Sequence, residues 1–534
     1  MNVRGLARLG LALLAGFFLL AGGAAAQLRP TPAKQPGSPS AADVAAAKRL
    51  NDQGNAYIEE GKYTQAVDAF QQALRLKPDF AEAQYNLGRT YFLLGKYSQA
   101  ITPLEEAVRL KPDYGAAYSE LGFAYRELQR YPEALKVDQK AVQLLPASAR
   151  AQYELGWIYN ETGKFEEAVG PLREASRLKP DYAEAHNELG YTFQQLKRVP
   201  EAIVEHKEAI RIKPDYASAY QNLGWCYNDT GKFAEAITAL KEAIRLKPDL
   251  VKAHAELGYA YRKLDQFDQA IVEYNEAIRL NPDYDTAYSG LGDIYFYNKN
   301  QYEEAVKAYR QVLRLKPNNL TANYNIGWSL NELKKYAEAL DPLQQTIRIK
   351  PDYAEAHNEL GFAYRKLERY PDAIKEYEEA VRIKPDYASA YIGLADLYYS
   401  DMKKYREAIE AYNKGLRLKP DNATAYHNLG WCYNETEQYS DAVYPLLQAI
   451  RLKPDYAEAH NELGYAYWKL KRNNEAVTSY KEAIRLKPAL ALAHYNLGVT
   501  YLDMGNRAGA QAEYEALKTL KPEYADRLYK LINK

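Results

Sequence analysis

The chain has 534 residues, and its 70 lysines and arginines are balanced by 70 aspartates and glutamates. That balance excludes a basic footprint for nucleic acid or for an anionic surface. Two cysteines are too few for a disulfide framework.

Met1 to Ala26 opens with Arg4 and Arg8, continues in an apolar run from Leu9 to Ala21 and ends in Ala24-Ala25-Ala26. This is the layout of a secretory signal peptide over residues 1–26, cleaved before Gln27. Its apolar core is short for a bilayer span of about 20 residues, and no Cys follows that would take a lipid anchor. The expectation is an exported protein, periplasmic or secreted in a bacterial envelope, with no integral membrane span after cleavage. Residues 27–40 hold Pro30, Pro32, Pro36 and Pro39 among Gly, Ser and Thr, which predicts a disordered tether.

From residue 41 to residue 524 the chain repeats itself. Fourteen prolines from Pro78 to Pro522 are separated by eleven gaps of 34 residues and two of 35. Such a period predicts a stacked array in place of a single globular core. With Ala183 as position 1, His186, Leu189, Gly190 and Phe193 lie on one helical stripe. Ala202, Ile203, His206, Ala209 and Ile210 form a second stripe after a break at Lys197–Pro200. Each unit is therefore expected to be a pair of helices, with Asp181 and Glu184 as a capping box for the first. Position 8 is Gly in thirteen copies and Ala395 in the other, and position 20 is Ala in all fourteen. Gly inside a helix costs about 1 kcal/mol against Ala, so close approach of the two helices, where neither carries a bulky side chain, is the expected compensation.

The combination of Leu-Gly at positions 7 and 8, Tyr at 11, Ala at 20 and 27 and Pro at 32 resembles the tetratricopeptide repeat family. The resemblance covers residues 47 to 524. It implies an all-α, right-handed superhelical solenoid of about fourteen antiparallel helix pairs with a concave ligand groove. Residues 41–524 are then the array, and 525–534 an amphipathic helix that caps its last apolar face.

A longer period is superposed. The two 35-residue units, beginning at Asp285 and Ala388, are 103 residues apart, each with one extra residue expected in the turn near Tyr297–Asn300 and Ser400–Lys403. Around them a three-unit block recurs: Gly-Trp at Trp225, Trp328 and Trp431, then His-x-Glu-Leu-Gly at His254, His357 and His460, then Asp at position 9 in Asp293 and Asp396. Duplication of a three-repeat segment accounts for this, and a partner with a matching period would use it.

In the family, the stripe at positions 2, 5, 9 and 12 faces the groove. Position 9 supplies Trp157, Tyr191, Trp225, Tyr259, Trp328, Phe362, Trp431 and Tyr465, and position 12 places Asn160, Asn228, Asn331 and Asn434 beside the tryptophans. Rings with adjacent amides suit an extended protein or peptide segment, or else a glycan. The other reading is that the rings pack on the adjacent repeat. Asparagines at position 6, such as Asn222, Asn325 and Asn428, resemble those that some family members aim at a ligand backbone. The histidines at position 4 have no second ligand at metal spacing, the Gly-Lys pairs lack phosphate-loop spacing, and no nucleophile–base constellation is visible. The sequence thus predicts a non-catalytic interaction scaffold without cofactor or metal, the alternatives being an envelope-polymer binder or the accessory subunit of a separate enzyme.

Overall fold

The structure, a computed structural model, describes residues 39–534. The signal peptide and all but the last two residues of the tether lie outside the described residues. These contain twenty-nine α-helices and two π-helical turns, and no strand. They divide into two compact units. The first, up to Lys179, holds the four hairpins from Ala41–Glu59 to Phe165–Leu178. The second, from Pro180, holds ten hairpins from Ala183–Gln195 to Arg507–Leu520 and a last helix, Pro522–Ile532. Within each unit every helix packs on the next, and first helices of successive repeats also touch.

Twelve of the fourteen hairpins close on the position-8 glycine; the exceptions are Ala395 and Gly498, which faces Leu528 of the last helix. A Cβ on Gly224 would lie 2.4 Å from Leu240 Cγ, and one on Gly258 3.0 Å from the Tyr274 ring. What the glycine admits is thus the bulky position-24 side chain of the second helix, contrary to the expectation that neither helix carries one there. The position-20 alanines, among them Ala202, Ala236 and Ala270, are fully buried beside this contact. Positions 3 and 10, as at Ala219 and Cys226, are also fully enclosed. The first helix is therefore buried against both its own partner and the neighbouring repeats, as expected of a hairpin that cannot cover its apolar surface alone.

The turn inside each hairpin needs one left-handed residue at position 15. Gly231 takes it at φ 73° and Lys197 at φ 60°. Lys232 N then donates to Tyr227 O at 2.8 Å, satisfying a carbonyl at the helix end. The capping box does not form: Tyr182 is the N-cap of its helix and no side chain caps it. Asp181 is one residue too early, because Pro-Asp forms the centre of a tight turn, seen at Lys213–Tyr216, where Tyr216 N donates to Lys213 O at 3.1 Å. Where Asn or Ser stands at the N-cap, as at Asn319 and Asn422, the side chain does cap.

The extra residue of the 35-residue units is absorbed within the first helix. Residues Ile294–Asn298 and Leu397–Asp401 form single π turns, with Lys299 N donating to Ile294 O and Met402 N to Leu397 O. A π turn adds one residue by shifting to i→i+5 bonding inside the helix, without lengthening the loop. At the other end of the chain, Pro522–Ile532 buries Ala525, Leu528 and Ile532, with Leu528 against Gly498.

Candidate binding site on the first helices

The position-9 rings are half-buried. In the first unit Trp157 stands edge-on to Tyr131, the residue opening the preceding second helix, with centroids 6.2 Å apart. The same relation joins Tyr259 to Phe233 at 6.2 Å, Trp328 to Tyr302 at 5.4 Å and Phe362 to Tyr336 at 6.0 Å. It also joins Trp431 to Tyr405 at 5.2 Å and Tyr465 to Tyr439 at 6.1 Å. Trp225 keeps the register with the Lys197 ammonium 5.7 Å from its ring, and Tyr191 is half-buried like the rest. Six of these rings are thus anchored edge-on to the preceding second helix, and all eight keep part of their surface in reach of solvent.

The amides beside them are enclosed. Asn228 Nδ2 donates to the Glu256 backbone carbonyl at 3.0 Å and to its carboxylate at 2.8 Å. Asn331 binds Glu359 in the same two ways, and Asn434 binds Glu462. Asn160 is buried as well. Burial pushes the carboxyls of Glu256, Glu359 and Glu462 above the usual range, against the pull of the asparagine bonds. The position-6 asparagines are likewise engaged with the preceding repeat: Asn222 donates to Asn187 Oδ1 at 3.2 Å, and Asn325 to the Tyr309 hydroxyl at 2.9 Å.

The 103-residue period builds the same cleft twice in the second unit. A cleft of about 320 Å³ is lined by Trp225, Asn228, Asp229, Glu256, Tyr259, Arg262, Tyr274 and Asp293. One of about 290 Å³ is lined by Trp328, Glu332, Glu359, Phe362, Arg365, Tyr377 and Asp396, each 103 residues beyond its counterpart. Their floor exists because position 6 is glycine in the third repeat of these two blocks. A Cβ on Gly290 would sit 2.3 Å from Tyr274 Cζ, and one on Gly393 2.7 Å from Tyr377 Cε1. In the third block the corresponding residues are Trp468 for Arg, Asn496 for Gly and Val499 for Asp, which changes the cleft's chemistry.

Position-9 aspartates anchor these clefts. Arg262 Nη1 donates to Asp293 Oδ2 at 2.9 Å, Tyr309 donates to Asp293 Oδ1 at 2.8 Å, and Asn325 completes the chain across three repeats. Asp396, Tyr412 and Asn428 repeat it. There the π turn supplies Asp401 and Ser400 to Arg365 at 2.6 and 2.8 Å. Arg262 and Arg365, and the rim carboxylates Asp229 and Glu332, escape a search for aromatic stripes. Their signal is that all four recur at the same spacing as the tryptophans.

The position-4 histidines are tied inside their hairpins. His254 places Nδ1 2.7 Å from Glu273 and Nε2 3.0 Å from Pro248 O, and His357 and His494 do the same with Glu376 and Glu513. Cys226 and Cys432 are free, buried thiols, pushed up to about 11 and about 12 by burial. No helix among the described residues is long and apolar enough to cross a membrane.

No curated protein matches the sequence. Among solved structures, the anaphase-promoting-complex hetero-tetramer Cut9-Hcn1 is 17% identical, with 85% of this chain and 96% of that one covered at a TM-score of 0.35. MamA is 26% identical over 32% of this chain and 94% of that one, at a TM-score of 0.30. Pseudomonas aeruginosa PilF is 20% identical over 39% and 95%, at a TM-score of 0.36. A family model described as TPR repeat matches residues 54–95, 88–128, 226–265, 258–298, 432–471 and 469–505. Models described as tetratricopeptide repeat match 113–181 and 352–421, 153–217 and 294–354, 207–238 and 411–444, and 491–524. These matches run without a gap from residue 54 to residue 524 over stacked helix pairs, so the chain is a protein–protein interaction scaffold and belongs to the tetratricopeptide repeat family.

Proposed function

We propose that the protein is an exported, non-catalytic scaffold that holds an extended protein segment along the first-helix wall of its second unit. The observation carrying this reading is the pair of equivalent clefts, 103 residues apart in sequence, with half-exposed rings between and around them. An extended segment meets successive repeats in the same orientation, so a repeated cleft suits repeated side chains of one partner. The signal-like stretch at residues 1–26 supports a partner in the envelope or outside the cell.

The test is recovery of partner from envelope extract by the wild-type chain and by a Trp225→Leu/Trp328→Leu variant of unchanged helicity. The variant should lose the partner, and soluble oligosaccharides should not compete. Retention by the variant would remove the wall from the binding surface. Displacement by oligosaccharide would favour a glycan ligand. Mass spectrometry of the exported chain should find Gln27 at its N-terminus.

A further inference from the structure

We infer that the twin clefts at Trp225 and Trp328 each receive a cationic side chain, lysine or arginine, of the bound segment. This rests on the first-helix wall being the binding face and adds the chemical class of what enters it. The first cleft sets the carboxylates of Asp229, Glu256 and Asp293 against the Arg262 guanidinium. The second sets Glu332, Glu359 and Asp396 against Arg365 and Lys419. In both, acidic side chains outnumber basic ones, three to one in the first and three to two in the second. The arginines do not change this, because Arg262 is held by Asp293 at 2.9 Å and Arg365 by Asp401 at 2.6 Å. The carboxylates of Asp229 and Glu332 remain at the rim, both exposed.

Two further features call for a donor. Asn228, 6% exposed, lines the first cleft with an Oδ1 that has no hydrogen-bond partner, and the Oδ1 atoms of Asn331 and Asn434 are equally unmatched in the second and third blocks. A buried acceptor without a donor is costly, and an ammonium or guanidinium supplies only donors. The walls are ring faces that already accept cations: Lys197 lies 5.7 Å from the Trp225 centroid, Lys263 5.4 Å from Tyr259 and Lys366 5.4 Å from Phe362. Clefts of about 320 and 290 Å³ are large enough for one long side chain and too small for a folded domain.

The experiment is selection of random twelve-residue displayed peptides on the immobilised full-length chain, in parallel with an Asp229→Asn/Glu332→Gln variant. Both substituted residues are exposed at helix ends, so circular dichroism should find the variant folded. Wild-type protein should enrich peptides carrying lysine or arginine. Their affinity should fall about tenfold, roughly 1.4 kcal/mol, for the variant and for the same peptides with glutamine in place of the basic residue. It should also fall with added salt. Enrichment of peptides without basic residues, lost on Trp225→Leu/Trp328→Leu, would overturn the cationic assignment and leave the binding wall standing. Enrichment indifferent to both sets of substitutions would overturn the wall as well.

Discussion

Asn331 Nδ2 donates to the Glu359 backbone carbonyl and to the Glu359 carboxylate, both at 3.0 Å, so one side chain fixes the next first helix at two points. Asn331→Ala leaves the half-buried Glu359 carboxylate with less compensation and should cost about 1–3 kcal/mol. Asn331→Asp should cost more, since it sets a second carboxylate beside the first. Urea unfolding measures both. A loss of only a few tenths of a kcal/mol in either would mean that the clamp contributes little.

The two kinds of helical glycine should respond oppositely to alanine. A Cβ on Gly224 meets Leu240 Cγ at 2.4 Å, whereas one on the exposed Gly170 meets nothing within 4 Å. Gly170→Ala should gain roughly 1 kcal/mol from helix propensity. Gly224→Ala has the same gain but must displace the packed Leu240, at a cost of about 1–3 kcal/mol. Thermal melting should therefore move up for the first and down for the second, and equal shifts would remove the close-packing explanation.

His206 fills the notch that Leu240 and Leu343 fill elsewhere. Its Nδ1 lies 3.1 Å from Asn187 Oδ1, its Nε2 has no partner, and burial holds it down to about 3. Asn187 Oδ1 also accepts from Asn222, so removing the imidazole orphans nothing. His206→Leu should stabilise the array by about 1 kcal/mol at neutral pH. Its folded pKa lies below the unfolded value of about 6.5, so wild-type stability should be lost as pH falls from there toward 3, and the variant should lose less. A destabilised variant would contradict this.

The histidine–glutamate clasps have the opposite sign. Burial pulls the His254 and His357 imidazoles down, but Glu273 with the Pro248 carbonyl, and Glu376 with the Pro351 carbonyl, outweigh it and raise both. For His494 the Glu513 bond is the leading influence and the result is again upward. Raised folded values mean that this stabilisation is complete below the unfolded pKa of about 6.5 and is lost as pH rises through the folded ones. Replacing Glu273, Glu376 and Glu513 by Gln should flatten the fall in melting temperature on the alkaline side of about pH 6.5. His460, which has Ser479 where the others have Glu, is pushed down by burial and should add no such slope. An unchanged pH profile in the triple variant would dismiss the clasps.

What the sequence discloses is what repeats every 34 residues: the helix pairs, the glycine at position 8 and the alanine at position 20. It misleads where local chemistry has two outlets. Asp181 has the right identity for a cap, but Pro180 commits it to the turn before the helix. The 35-residue spacing locates the extra residue near Asn298, but nothing local tells a π turn within the helix from a longer loop after it. The role of Asn228 depends on Glu256, 28 residues away in the next repeat. That spacing recurs for Asn331 with Glu359 and Asn434 with Glu462, so the pairing was present in the sequence, although nothing within one repeat reveals it.

The most direct measurement is site-specific photocrosslinking in envelope extract. A photoreactive phenylalanine at Tyr259 or Phe362 probes the first-helix wall, and one at Val204 or Val272, each more than 60% exposed, probes the second helices. Partner adducts are expected from positions 259 and 362 and not from 204 and 272. Adducts from the valine positions alone would place the partner on the opposite surface and contradict a binding wall built from the first helices.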